Sequence, residues 1–404
     1  MLDDRTLERY ADAIVRSCLE IGPGDLLAVH GEPAHRELIL ALTRVAYAAG
    51  AHYVDVAFVE PAVRRARVDY ADPETLDYQP PWAERRLRDV AKAHGASISI
   101  NGPSAPMLMN GADPGRAARE RSSRIPGQRV YLREVQRNAL RFCVVAYPVE
   151  GWCAPVYPEL DPAAATRQVA ADLASFCRVA DEDPADAWDR HVAMLSARAA
   201  WLNELGLDRI VLRAPGTELE VGMARGGKWS AADETTIHGD RFRANMPTEE
   251  VFTSPDPRRT SGSFRCTRPL TLDGRRIDGI HGRFTGGRLV EIGADNDDDR
   301  AYLASYTSRD RGAGRLGEVA LVDATSRIGA TGRTYGITLL DENAASHIAF
   351  GSGYSSTRDP DGARVNNSQI HVDVMICAPE MEVTGYTTAG QPVPIVRDGL
   401  LQLQ

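Results

Sequence analysis

The segment Leu26–Val59, LLAVHGEPAHRELILALTRVAYAAGAHYVDVAFV, decides how the front half of this chain folds. Leu26 to His30 is a short apolar run of strand type. Residues 34–49 then place Leu38, Ile39, Leu42, Val45 and Ala46 on one helical face, with Gly50 where a C-cap belongs. Tyr53 to Val59 returns to strand. Strand, helix and strand in direct succession predict a layered α/β domain with a mostly parallel sheet. The alternation extends outward. Leu7, Tyr10, Ala11, Ile14, Val15, Cys18 and Leu19 follow helical spacing up to Gly22-Pro23-Gly24, and a charged helix over 82–94 precedes a strand at Ala96 to Ile100. A dinucleotide site needs its glycines just after a strand. Gly22 and Gly24 come before the strand and only Gly31 follows it, so no nucleotide cofactor is expected.

The chain has 404 residues, 43% hydrophobic and 25% charged, enough for a large core and two to four domains. The net charge of −9 lacks the basic footprint of a nucleic-acid binder. Six scattered cysteines with no Cys-x-x-Cys pair argue against a disulfide scaffold or a thiolate metal site. No apolar run approaches a membrane span, and Asp3, Asp4 and Arg5 replace the apolar stretch of a secretory signal, so a cytoplasmic protein is expected. The arginines at 116, 119, 121 and 124 read as a solvated face, with an anionic ligand or a subunit contact as the alternative. A long helix over 183–206, striped by Trp188, Val192, Leu195, Ala199 and Leu202, leads into a change of organisation. The expected division is an N-terminal α/β domain, 1–207, and an α+β, antiparallel-rich C-terminal domain, 208–404.

Ile210-Val211-Leu212 and Leu219-Glu220-Val221 flank Pro215-Gly216 as a hairpin, opening that second domain. Its chemistry lies in four separated segments: Asn245–Thr253, Gly317–Val322, Asp341–Gly351 with Tyr354 beyond, and Asn366–Ile376. In the last, Ile370, Val372, Val374 and Ile376 alternate with His371, Asp373 and Met375. Strand residues i and i+2 share a face. His371 and Asp373 therefore project together, either as metal ligands or as a polar pair on a solvent-facing strand. Glu342 and His347, five apart, would diverge by about 140° on a regular helix, and only a loop between them lets them converge. His347 also fits a buried histidine with a backbone partner, Glu318 a strand-rim carboxylate, and Glu249 and Glu250 a helix N-terminus.

Together these blocks resemble the thermophilic metallo-aminopeptidase family, the aminopeptidase T, aminopeptidase S and PepS type. The likeness rests on Pro-Thr-Glu-Glu-Val-Phe-Thr at 247–253, Leu-Gly-Glu-Val-Ala-Leu-Val at 316–322, Asp-Glu-Asn-Ala-Ala-Ser-His-Ile-Ala at 341–349 and Asn-Ser-x-x-His-x-Asp at 367–373. It covers nearly the whole chain, more weakly between about 60 and 200. The resemblance implies two divalent ions (zinc, cobalt, manganese or magnesium) held by Glu250, Glu318, Glu342, His347, His371 and Asp373. It implies a homodimer whose active sites face a shared cavity, which would limit substrates to short or unfolded peptides, and Tyr354 matches a tyrosine at the family's active site. The chemistry of such a set then gives Tyr354 as hydrogen-bond donor to an oxyanion, Glu318 as the candidate bridging carboxylate and the spare glutamate, Glu249, as general base or scaffold, with Glu249 and Glu250 interchangeable in this assignment. Phe350 and Cys377 depart from the family pattern and are expected to reshape the pocket.

Two rivals share the ligands. A ring-cleaving dihydroxypyridine dioxygenase of similar fold holds one Fe(II) with two histidines and an aspartate, which His347, His371 and Asp373 would supply. Such a site has no use for Glu250 and Glu318. A pathway-specific amidase or peptidase would differ only in substrate.

Overall fold

The computed structural model describes residues 2–403, apart from 114, 118, 121–122, 124–129, 132, 136, 273, 359–361, 363–364 and 377–379. Arg121, Arg124 and Cys377 thus lie outside the described residues. The chain divides into two compact units, Met1–Trp188 with Glu234–Met246, and Asp189–Asp233 with Pro247–Gln404.

The first unit is a parallel α/β layer. Strands β1 (Leu26–Gly31), β2 (Tyr53–Phe58), β3 (Ala96–Asn101) and β4 (Arg141–Ala146) take the order β2-β1-β3-β4, and Asn245–Met246 adds a fifth strand beside β4. Every pairing is parallel. Leu27, Ala28 and Val29 of β1 are fully buried, as a continuous apolar run in a sheet covered on both faces should be. Helix Arg36–Ala48 buries Leu38, Ile39, Ala41, Leu42 and Ala46. Gly50 follows it at φ +99°, where a side chain would press on Pro23 at 3.1 Å. The first helix departs from the regular spacing read in the sequence: Asp4–Asp12 is α-helical, and Ala13–Cys18 continues as a π turn. Arg116 donates to the Val68 and Ala71 carbonyls and fastens that segment, whereas Arg119 pairs with Asp77 on the exposed surface.

The second unit is antiparallel-rich. Strands Leu207–Ala214 and Thr217–Met223 form the hairpin, with Gly216 at φ +78°, in the middle of an eight-stranded antiparallel sheet. A separate four-stranded antiparallel sheet carries the chemistry. The helix Pro184–Glu204 buries the expected stripe. The boundary between units falls inside this helix, between 188 and 189 rather than 207 and 208, and 234–246 returns to the first unit through its added strand.

Candidate metal centre

The four segments separated in sequence become four neighbouring strands. They are β5 (Glu250–Thr253), β6 (Leu316–Val322), β7 (His347–Gly351) and β8 (His371–Met375), in that spatial order. The antiparallel register sets Glu318 opposite Ala349 and Ala349 opposite Asp373. It also sets Glu250 opposite Val322 and His347 opposite Ala320. Directly paired residues share a face. Glu250, Glu318, His347, His371 and Asp373 therefore project from one side, with small Ala349 and Ala320 leaving room among them. Val319, Leu321, Ile348, Phe350, Val372 and Val374 occupy the other side and are buried. Phe350 there meets Phe264 edge-on and stacks on Phe284, each at 5.8 Å between ring centres. It faces the core and does not shape the pocket, contrary to expectation.

Two overlapping triplets result, Glu250 with Glu318 and His347, and Glu318 with His371 and Asp373, the donor atoms of each lying within 4.8 Å of one another. His347 Nε2 is 3.2 Å from Glu250 and 3.9 Å from Asp373. His371 Nε2 is 3.2 Å from Glu318 and 3.3 Å from Asp373. The Nδ1 atoms face carbonyls, Ala345 at 3.2 Å and Ser352 at 2.7 Å. A carbonyl only accepts, so each Nδ1 carries a proton and each Nε2 faces the cluster, where it can ligate a cation once any proton on it is released. Glu342 stands outside both triplets. It lies in the 3-10 turn Glu342–Ala344, and extended Ala345 separates it from β7. That break removes the helical objection to its convergence with His347.

The electrostatics are those of an over-negative buried site. Burial pushes the Glu250 carboxyl well up, and Glu318, Glu342 and Asp373 add to it. Glu342 rises for the same reasons, with Asp373 and Glu318 as the neighbouring charges. Burial alone would depress His371, but Asp373 and Glu318 outweigh it and hold the imidazole well above its usual value. Asp373 is held low by His371 despite its burial. Tyr354, its hydroxyl 3.3 Å from His371 Nε2, is raised by burial and then by the same carboxylates, so the phenol keeps its proton. Glu250 Oε2 is buried and makes no hydrogen bond despite the nearby imidazole. An orphaned carboxylate oxygen inside a set of oxygen and nitrogen donors fits divalent cations.

Glu249 is elsewhere. Its carboxylate lies 3.7 Å from His191, and it belongs to neither triplet. Adjacent residues of an extended chain point to opposite sides. This geometry sets Glu250 on the ligand side and does not support the base role expected for Glu249. His191, Ser254 and Ser352 were not singled out from sequence. Ser254 accepts from the Tyr354 N–H at 2.9 Å, and the nearest sequence hint for any of the three is the Gly-Ser-Gly at 351–353.

A buried set of carboxylates and imidazoles on one sheet face is the donor chemistry of a metal-dependent hydrolase. Residues 3–401 match the family described as thermophilic metalloprotease (M29). The chain belongs to that family and is a hydrolase of the metalloprotease class. It is 33% identical over 400 residues to aminopeptidase T of Thermus aquaticus, covering 97% of each chain. It is 31% identical to aminopeptidase PepS of Streptococcus thermophilus, again over 97% of each. The solved structure of wild-type AmpT from Thermus thermophilus superposes with a TM-score of 0.91 at 31% identity, over 100% of both chains. A 2,5-dihydroxypyridine dioxygenase from Pseudomonas putida KT2440 gives 0.54 at 12% identity over 100% and 99%, a likeness of fold alone. Among the described residues, no helix is long and apolar enough to cross a membrane.

Proposed function

We propose that this chain is an aminopeptidase that releases the N-terminal residue of short peptides at a site holding two divalent metal ions. The observation that carries this reading is the convergence of Glu250, Glu318, His347, His371 and Asp373 on one buried sheet face, with Glu250 Oε2 left without a hydrogen bond. Glu342, which the Asp373 and Glu318 charges act on, is assigned to the donor set on the family resemblance. Glu318 is common to both triplets and would be the carboxylate shared between the two ions. Zinc, cobalt, manganese or magnesium, when bound, would supply an activated water and polarise the scissile carbonyl. The protonated Tyr354 phenol would donate a hydrogen bond to a developing oxyanion. The Nδ1 contacts to Ala345 and Ser352 keep both imidazoles aimed. We take the working form as a cytoplasmic homodimer, on the family resemblance.

Metal content measured together with leucine- or alanine-anilide hydrolysis tests the reading. Release of N-terminal residues from several unrelated short peptides, abolished by a chelator and restored by zinc, cobalt or manganese, is expected. One iron per chain, with no hydrolysis after reconstitution, would favour the ring-cleaving dioxygenase instead. Hydrolysis of one amide only would favour the pathway-specific enzyme.

A further inference from the structure

Asn343 sits between the two carboxylates whose placement is hardest to achieve. It is fully buried in the turn that carries Glu342. Its Oδ1 accepts a short 2.6 Å hydrogen bond from the Glu249 N–H, 94 residues away in sequence. Its Nδ2 donates to the Leu339 carbonyl at 2.8 Å and makes a long 3.4 Å contact with Glu342 Oε1. One planar amide thus grips the backbone just ahead of Glu250 and touches the Glu342 carboxylate. From another direction, His191 Nε2 lies 2.7 Å from the Thr248 carbonyl, so the peptide between 248 and 249 is held at both its oxygen and its nitrogen. The approach to Glu250 needs such fixing. Thr248 and Glu249 fall outside regular secondary structure, and β5 begins only at Glu250.

We propose that Asn343 is a positioning residue of the metal centre, setting the separation of Glu250 and Glu342 and so the site's affinity for divalent cations. This rests on the metal-centre reading above. Only an amide serves both ends. Aspartate keeps the acceptor for the Glu249 N–H but turns a second acceptor toward Leu339 O and Glu342. Alanine loses all three contacts. Outer partners of metal ligands are typically worth 10–100-fold in affinity.

The test is zinc affinity of the whole folded protein, measured by competition with a chromophoric chelator, for wild type, Asn343→Asp and Asn343→Ala. Asn203→Ala is the comparator. Asn203 pins Trp229 by hydrogen bonds of 2.8 and 2.9 Å and touches no ligand, so its loss lowers stability without changing zinc affinity. Each folded Asn343 variant should bind zinc 10–100-fold more weakly, with the zinc-dependence of anilide hydrolysis displaced by the same factor and the rate at saturating zinc recovering to within a few-fold. Wild-type zinc affinity in a folded Asn343 variant overturns the proposal and leaves the metal centre standing. Should Asn343→Ala fail to fold, Asn343→Asp decides. Absence of binding of zinc, cobalt, manganese and magnesium alike by the wild type overturns both.

Discussion

Glu318→Gln isolates the residue shared by both triplets. Glutamine matches glutamate in shape, so the 3% exposed site is not repacked. In the metal-free protein, Glu318 is attracted to charged His371 at 3.2 Å and repelled by Asp373, no more than 4.8 Å away. At an effective dielectric constant of 20 these are about 5 and at least about 3.5 kcal/mol. They largely cancel, so the metal-free variant should melt within about 2 kcal/mol of wild type. Metal changes the comparison. A ligand at 1,000 times its dissociation constant stabilises by about 4.1 kcal/mol, and a 100-fold loss of affinity reduces that to about 1.4. For a unit of this size, at about 2–4 °C per kcal/mol, the metal-induced rise in melting temperature should shrink by roughly 5–11 °C. Anilide hydrolysis should fall at least about 1,000-fold, the scale of losing a group that stabilises the transition state electrostatically. Thermal melts with and without zinc, beside rate measurements, read both. A variant with wild-type turnover and a wild-type metal-induced shift would remove Glu318 from the site.

Glu250→Gln should lose bound metal, whereas Glu249→Gln should retain it and lose only stability, and metal analysis after gel filtration distinguishes them. Ala349→Val puts two methyls between Glu318 and Asp373. It should cost about 1–3 kcal/mol by overpacking and abolish metal uptake, as melting and metal content will show. Asp323 is tied to Arg198 at 3.3 Å, to the Thr325 N–H at 2.9 Å and hydroxyl at 2.5 Å, and to the Leu401 N–H at 3.0 Å. Asp323→Ala should cost about 3–5 kcal/mol in urea unfolding. Burial raises this carboxyl, but those partners outweigh it and hold it below 3.8. The folded state therefore binds fewer protons, and the network's stabilisation, complete above the unfolded pKa, is lost as pH falls through the lower folded value. Wild type should lose more stability than Asp323→Ala over that acid range.

What could be read in advance follows from range. The period-2 run from Ile370 to Ile376 places His371 and Asp373 on one face with no tertiary information, and the structure keeps them there. The alternation of Leu26–Val59 likewise needs only local spacing. Glu342 and His347 were harder, because an angle computed for a regular helix does not apply to a 3-10 turn followed by a strand. Glu249 and Glu250 look equivalent in sequence, and only contacts from His191 and Asn343 separate them. His191 lies on a helix about 60 residues from the segment it braces, and no local pattern announces that distance. Phe350 misled for the complementary reason: its neighbour Ala349 is at the site, and one step along a strand reverses the face.

That reversal also explains how one architecture can serve unrelated chemistry. The whole chain shares its fold with a 2,5-dihydroxypyridine dioxygenase at 12% identity, and a fold alone does not choose a reaction. The face of β5–β8 supplies a fixed grid of positions. In this chain His347, His371 and Asp373 fill three of them, which by themselves would suit a single iron. Glu250 on β5 and Glu318 on β6 fill two more, and burial first, then the neighbouring Glu318 carboxylate, push Glu250 well up in the absence of a cation. A single ion would leave this negative charge partly uncompensated, whereas the proposed pair would share Glu318 and use every donor. The proposed second cation thus rests on the carboxylates of β5 and β6, strands that the histidine and aspartate motif does not include.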